Sequence, residues 1–344
     1  MPFIPKDDYW IRGFDYPRLQ LVFLLAASAL LWALVFDITK WGLNLFIWVT
    51  LAAAFIYQLY RILPYTKLWR THSREAKRKD HDDRHLRLLV SNVLQPNRSS
   101  DKLIALVNEH QPDILLTLES NHWWEEQLDA GIGKDFPHKV SIPLENLYGM
   151  HLYSKLELLA PQTVYRIKDD IPGIDTAVNL PEGREVKLHF VHPMPPSPSE
   201  AYASTGRDAE LALVGKQVKE HGGTAIVAGD LNDVAWSHST RLFKRLSGLV
   251  DPRVGRGLYA TFHADYWFAR WPLDHLFHTT DLALVRLERL PSIDSDHYPI
   301  LIELSYEPED NDHDHEEADA DDHAEAEETI AKAKKGEEDT VASG

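Results

Sequence analysis

Two uncharged apolar stretches dominate the start of the chain. Leu19 to Phe36 runs for 18 residues, and Gly42 to Tyr60 for 19, with Asn44 and Gln58 near the ends of the second. A membrane-spanning helix needs about 20 mostly apolar residues. The pattern therefore predicts a two-helix transmembrane hairpin (spans at about 19–36 and 42–60), turned by the short connection Asp37 to Trp41. Trp10, Tyr16, Trp41, Tyr57, Tyr60 and Tyr65 fall where an aromatic belt would lie. A cleaved signal peptide has a shorter apolar region and would leave the second stretch unexplained. Beyond it, a helix-prone stretch carries Arg61, Lys67, Arg70, Arg74, Lys77, Arg78 and Lys79. It reads as a basic juxtamembrane linker (61–84) that meets anionic headgroups or is simply solvated. The hairpin turn holds only Lys40, so the positive-inside rule places both termini in the cytoplasm.

From Leu86 the period changes to that of a packed domain. Strands are expected at Leu86–Ser91, Asp113–Leu118, Gly149–Tyr153, Val186–Val191, Thr224–Ala228 and Ile300–Leu304, and helices at Ser100–His110 and Arg207–His221. Strands and helices alternate, but several strand neighbours are joined by short turns, so a mixed sheet is predicted. A domain at 85–306 follows, and then a tail at 307–344 rich in Asp, Glu, His and Ala without core formers, which composition alone reads as disordered. His313, His315 and His323 lie in that tail among carboxylates, as weak metal ligands or as plain solvated residues.

Composition narrows the chemistry. Hydrophobic residues make up 44% of the chain and aromatics 10%, enough for a sizeable core. Cysteine is absent, so disulfides and thiolate metal sites are excluded and any metal rests on oxygen or imidazole. Residues 1–84 carry +4, residues 85–306 carry −8 and residues 307–344 carry −13, together the net −17. An acidic domain lacks the basic footprint of proteins that grip long nucleic acids, which disfavours but does not exclude such a substrate.

The positions of the polar residues carry the functional signal. Asn92 follows Leu-Leu-Val-Ser, Glu119 follows Ile-Leu-Leu-Thr-Leu and His192 follows His-Phe-Val. Asp230 and Asn232 follow Ala-Ile-Val-Ala-Gly, and Asp296 and His297 precede Tyr-Pro-Ile-Leu-Ile. Singly, each can be a turn former, a cap or an exposed strand end. Together, as ends of strands in one sheet, they converge on one edge of it.

In this order the motifs Ser91-Asn92-Val93, Leu118-Glu119, Val191-His192-Pro193, Gly229-Asp230-Leu231-Asn232, Pro272-Leu273-Asp274-His275 and Ser295-Asp296-His297 resemble the endonuclease/exonuclease/phosphatase family over residues 86–304. The resemblance implies a deoxyribonuclease I-like fold, a four-layer α/β sandwich with two mixed β-sheets, here behind a membrane anchor, as in a bacterial inner-membrane protein. It implies hydrolysis of a phosphodiester or phosphomonoester with Mg²⁺ or Mn²⁺, a hard cation suited to carboxylates. Glu119 would be the main metal ligand, with Asn92 and Asp296 completing or supporting the shell. His297 would be general base or transition-state stabiliser, oriented by Asp274. Asp230 would orient or deprotonate the water, Asn232 would donate to a phosphate oxygen, and His192 would contact the phosphate and protonate the leaving oxygen.

Other residues nearby are open to two readings. Tyr148-Gly149-Met150 and the run from His192 to Pro196 bracket the site. Arg207, Arg253, Arg256 and Arg270 either bind substrate phosphate, whose geometry a guanidinium matches, or are structural. Trp267 and Trp271 either pack in the core or reach a base or a lipid. Anchoring favours a membrane-associated, lipid-linked phosphoester, because it concentrates enzyme and substrate together. A tethered nuclease and a non-catalytic scaffold are the alternatives. Oligomeric state is not legible.

Overall fold

Alternation along nearly every central strand is apolar on both faces, and that pattern forces the domain into layers. In the computed structural model, which describes residues 7–35, 42–80, 82–197, 203–308 and 317–343, the chain opens with a one-turn helix α1 (Tyr9–Arg12) and two long helices, α2 (Arg18–Val35) and α3 (Leu43–Ile62). Two helices, Arg18–Val35 and Asn44–Tyr65, are long and apolar enough to cross a membrane, and only 6% of each is buried. At their base Arg18 donates to the Gln58 side chain at 2.9 Å and pairs with Asp15, pinning α2 to α3. The connection with Asp37, Lys40 and Trp41 lies outside the described residues, as do His313 and His315.

The first half of the domain runs β1 (His85–Asn92), α4 (Ser100–His110), β2 (Ile114–Leu118), α5 (His122–Ile132), β3 (His138–Ile142) and β4 (Met150–Ser154). The second runs β5 (Leu159–Val164), β6 (Gly173–Asn179), β7 (Glu185–Phe190), α6 (Thr205–His221), β8 (Ala225–Asp230), α7 (His238–Ser247) and β9 (Asp274–His278). Then β10 (Leu282–Arg289) and β11 (Ile300–Tyr306) return to the first sheet, and α8 (Ala320–Ser343) closes the chain. The sheets have the orders β10-β11-β1-β2-β4-β3 and β5-β6-β7-β8-β9. Each contains a single parallel pair, β1 with β2 across α4 and β7 with β8 across α6; all other neighbours are antiparallel. Both sheets are therefore mixed.

One set of side chains fills the space between the sheets, including Leu88, Val90 and Leu116 against Leu188, Phe190 and Ile226. Their sequence neighbours point the other way. Leu89 and Leu115 pack with Leu103 and Trp124 under α4 and α5, and Val227 packs with Val214 and Phe243 under α6 and α7. The period of two thus generates helix, sheet, sheet and helix as four layers.

Two segments that composition assigns to linker and tail are built into this body. The stretch after α3 is not helical beyond Tyr65: Ala76 N–H donates to Leu284 O at 2.8 Å, Ser73 Oγ lies 2.8 Å from His278 Nε2, and Arg74 donates to the Glu307 carbonyl. Ala320–Ser343 is a helix, not the disordered tail that its acidity suggests. Ala326, Ile330 and Ala333 recur at helical spacing and bury against Ala209, Ala212, Leu242 and Leu246, where small side chains allow close approach. Its acids meet cations of α6 and α7: Arg245 binds both oxygens of Asp322 at 2.7 Å, and Glu327 pairs with Lys216.

Glu210 of α6 is buried, and its carboxyl is pushed up to about 7 by burial, with Arg166 opposing and Asp175 adding to the rise. A carboxyl held above its ordinary 4.5 destabilises the fold once it must ionise, so this cost is absent below pH 4.5 and grows as pH rises through 7. Glu210→Gln is expected to stabilise the protein by about 3 kcal/mol at pH 8 and by almost nothing near pH 4. Thermal melts at the two pH values check it; equal shifts at both would contradict it.

Candidate active site

Strand direction gathers the polar residues. β1 and β2 are parallel and end in Asn92 and Glu119, while β11, antiparallel to β1, begins just after Asp296-His297. In the other sheet β7 and β8 are parallel and lead into His192 and Asp230, and β9, antiparallel to β8, places Asp274 opposite Asp230. Contrary to the single-sheet expectation, two sheets contribute. Asn92, Glu119, Asp296 and His297 come from one sheet, and His192, Asp230, Asn232 and Asp274 from the other, so the site straddles one end of the sandwich.

The links between them are short. Asn92 Nδ2 donates to Glu119 Oε1 at 2.8 Å and to Asp230 Oδ2 at 3.2 Å. Its Oδ1 accepts the Leu94 N–H at 3.1 Å, which fixes the amide with nitrogen toward the carboxylates. In this arrangement Asn92 links Glu119 and Asp230 through its amide nitrogen. His297 Nδ1 lies 2.7 Å from Asp274 Oδ2, and its Nε2 lies 3.5 Å from Asp230 Oδ2. His192 Nε2 stands 4.0 Å from the same Asp230 oxygen, with its ring against Tyr148. Ser295 Oγ donates to the Asn92 carbonyl at 2.8 Å and accepts from the His297 N–H, tying the two strand ends together.

Backbone strain marks the same places. Glu119 and Asn232 sit in the left-handed region at φ +55° and +50°, where non-glycine residues are uncommon. Gly229, at φ +147°, passes so close to Val191 that a Cβ would stand 1.9 Å from its carbonyl oxygen. Only glycine lets β8 deliver Asp230 past the β7 exit.

The electrostatics follow from crowding. Glu119 is pushed up to about 7, mostly by burial and further by Asp296 and Asp230, against the pull of Asn92 and His297. Asp274 is raised by burial and by Asp230, against the pull of His297. Burial alone would lower His297, but Asp274 and Asp230 outweigh it and hold the imidazolium up to about 10. Ligand atoms of Asp230, Asp274 and His297 lie within 4.8 Å of one another. However, Nδ1 of His297 is already engaged by Asp274, so that trio reads as an oriented histidine rather than a metal cage. A half-buried Glu119 facing further carboxylates is a donor set that a divalent cation fits.

The four arginines do not enter this cluster. Arg207 is buried; it donates to the Asn232 carbonyl at 2.8 Å and pairs with Asp208. Arg253 is locked to Asp251 and lies 2.7 Å from His275 Nδ1. Arg256 reaches the Ser73 carbonyl and Glu75. Arg270 bonds the Ala264 carbonyl and the Tyr298 hydroxyl at 3.0 Å each, the residue after His297. Each is held by protein partners.

Sequence reasoning missed a contributor from the far end of the chain. Tyr16, read as a belt residue, instead donates its hydroxyl to the Asn232 carbonyl at 2.8 Å, and Trp236 Nε1 donates to Asp15 O at 2.6 Å. With Arg207, Tyr16 holds Asn232 in its strained conformation. No pattern local to the first residues announces a contact across 216 positions.

Residues 89–297 match the Endonuclease/Exonuclease/phosphatase family, and the chain belongs to it. Members of that family are phosphoester hydrolases. Among solved structures, an endonuclease/exonuclease/phosphatase from Bacteroides vulgatus is similar at 17% identity and TM-score 0.53, covering 65% of this chain and 99% of that one. D. rerio TDP2 complexed with single-strand DNA product is similar at 14% and 0.53, covering 64% and 99%. The human Nocturnin catalytic domain with bound sulfate is similar at 16% and 0.52, covering 66% and 96%. No curated protein matches the sequence.

Proposed function

We propose that this protein is a membrane-anchored phosphoester hydrolase, dependent on Mg²⁺ or Mn²⁺, acting on a lipid-linked substrate. The observation that carries the chemistry is the joined set Glu119–Asn92–Asp230–His297–Asp274 at one end of both sheets. Glu119 and Asp296 would hold the metal, with Asn92 steering Glu119. A bound divalent ion supplies positive charge against the phosphoryl oxygens. His297, kept as an imidazolium by Asp274 and Asp230, is suited to donate to a phosphoryl oxygen. That leaves Asp230, beside it, to orient the attacking water and accept its proton. His192 stands on the other side of Asp230 and serves the leaving oxygen. Asn232 has one amide hydrogen on the Pro193 carbonyl at 3.0 Å and offers the other to a phosphate oxygen.

The lipid assignment draws on one loop. Ala264 N–H donates to Asp296 O at 2.7 Å, and Phe262 packs on the His297 ring at 4.9 Å. Four residues on, Tyr266, Trp267 and Phe268 are exposed, Trp267 by 83%. The Phe268 carbonyl accepts from Gln20, in the first turn of α2, at 2.8 Å. Trp271, by contrast, is packed against Phe262 and Tyr16. An aromatic tip beside the start of an apolar helix belongs at a bilayer interface. The loop then runs from membrane surface to catalytic histidine. Residues 7–16 and the domain after Tyr65 pack together, so both ends of the hairpin share one side of the membrane.

The second reading, a nuclease, draws on the TDP2 relative that carries a DNA product; the acidic domain weighs against it. The deciding experiment offers purified full-length protein, in detergent with Mg²⁺ or Mn²⁺, phospholipid, polyprenyl pyrophosphate and plasmid DNA. Metal-dependent release of phosphate or headgroup from a lipid, with intact DNA, is expected. DNA cleavage without lipid turnover would transfer the assignment to the nuclease, and inactivity on all of them would sink hydrolysis itself.

A further inference from the structure

A cavity of about 340 Å³ opens where α3 leaves its apolar span, on a side of the domain that none of the catalytic residues lines. Its walls include five cations: Arg61 from the last turn of α3, Arg70 from the segment after it, and Arg241, Lys244 and Arg245 from α7. Tyr60, Tyr65 and Trp69 supply aromatic walls, and among the described residues no Asp or Glu lines the cavity. In a chain of net charge −17 this is a concentration of positive charge against the overall trend.

The fold bears a cost for it. Arg241 is held below its ordinary value by burial and then by the nearby Arg61 and Arg245. Its Nε donates to the Ser237 carbonyl at 3.2 Å, which fixes the guanidinium without neutralising it. Arg245 is balanced from behind by Asp322 of α8, so one carboxylate of the acidic helix answers part of the cluster. Cations gathered into a concave, partly buried site are stabilised by an anion that several of them share, and guanidinium groups match the oxygens of phosphate. The depth is informative as well. Tyr60 and Arg61 end a helix that is long enough to span, and the aromatic and basic residues there sit where headgroups lie.

We propose that this cavity binds a phosphate-bearing anion, supplied by the headgroup of an anionic phospholipid, and so clamps α7 of the catalytic domain to the membrane end of α3. The site shares the hairpin with the functional reading above but not its chemistry.

The test uses full-length protein in neutral detergent with EDTA, so that no turnover intervenes. Short-chain phosphatidic acid, phosphatidylcholine of equal chain length and inorganic phosphate are titrated separately. Tryptophan fluorescence (Trp69 and Trp236 line the cavity) and melting temperature are followed. Phosphatidic acid is expected to bind at least tenfold tighter than phosphatidylcholine and to raise the melting temperature. Arg241→Gln with Lys244→Gln should weaken it at least tenfold. Arg61→Gln with Arg70→Gln, at the opposite wall, guards against a folding defect in the α7 pair and should weaken it likewise. His297→Ala should bind as the wild type does, which separates this site from the active site even if hydrolysis proves absent. Inorganic phosphate binding as tightly as phosphatidic acid would overturn the lipid source. Equal affinity for phosphatidylcholine, or affinity unchanged in both pairs of variants, would overturn the site.

Discussion

Replacing His297 with alanine is expected to lower kcat on the phosphoester substrate by about 10³-fold with little change in KM. The size follows from position. The ring is the group that Asp274 fixes at 2.7 Å, and its other nitrogen faces Asp230 at 3.5 Å, so its removal takes away both a donor and the charge between two buried acids. Asp274→Asn keeps the ring in place but removes the carboxylate that holds the proton on Nδ1. A smaller loss, about 10²-fold, is expected there, with the rate falling at lower pH than in wild type as the imidazolium loses its support. Steady-state kinetics on whichever substrate the screen yields measures both. An alanine variant within tenfold of wild type would remove His297 from the chemistry.

Glu119→Gln should separate metal binding from folding. Wild-type protein is expected to melt higher as Mg²⁺ or Mn²⁺ is added, by about 3 kcal/mol when the ion is a hundredfold above its Kd. The variant should lose most of that gain together with at least 10²-fold in activity. Without metal the order should invert at pH 8. There the variant, relieved of a half-buried carboxylate facing Asp296 and Asp230, should be the more stable protein. A variant that still gains the full metal-dependent shift would place the ion elsewhere, and the Asp230–Asp274–His297 trio would be the first place to look.

Much of this site was legible because its residues are punctuation. Asn92, Glu119, His192 and Asp230 each follow an apolar stretch, and a short apolar run rich in branched residues and bounded by turn formers fits a buried strand. Strand direction then does the gathering, which is why one-dimensional order predicts a three-dimensional cluster. What the pattern could not carry was the partition into two sheets. β9 and β10 lie in different sheets although only Thr279 to Asp281 separate them, and nothing local to those three residues says so.

The arginines illustrate a different limit. From sequence, Arg207, Arg253 and Arg256 are open between phosphate binding and structure; two of their carboxylate partners, Asp208 and Asp251, lie within two residues, whereas Glu75 reaches Arg256 only through the fold. The acidic tail misled for the mirror reason. Its composition suggests solvation, but Ala326, Ile330 and Ala333 make a narrow apolar stripe that suffices against a receiving surface of Ala209, Ala212, Leu242 and Leu246. Sparse stripes are judged by their partner, and the partner is not in the window.

The hydroxyl of Tyr16 on the Asn232 carbonyl has a consequence for biogenesis. Tyr16 precedes both apolar helices, whereas Asn232 is made after them. The loop that carries Asp230 is therefore completed only in a chain whose hairpin has doubled back and returned its first residues to the same face. If the hairpin spans a membrane as proposed, a molecule with only one helix threaded would keep its site side chains and lack one of the two donors, Tyr16 and Arg207, that hold the Asn232 carbonyl. On the proposed anchoring, the shape of this loop would therefore depend on how the two helices insert, through the one bond from Tyr16 to the Asn232 carbonyl.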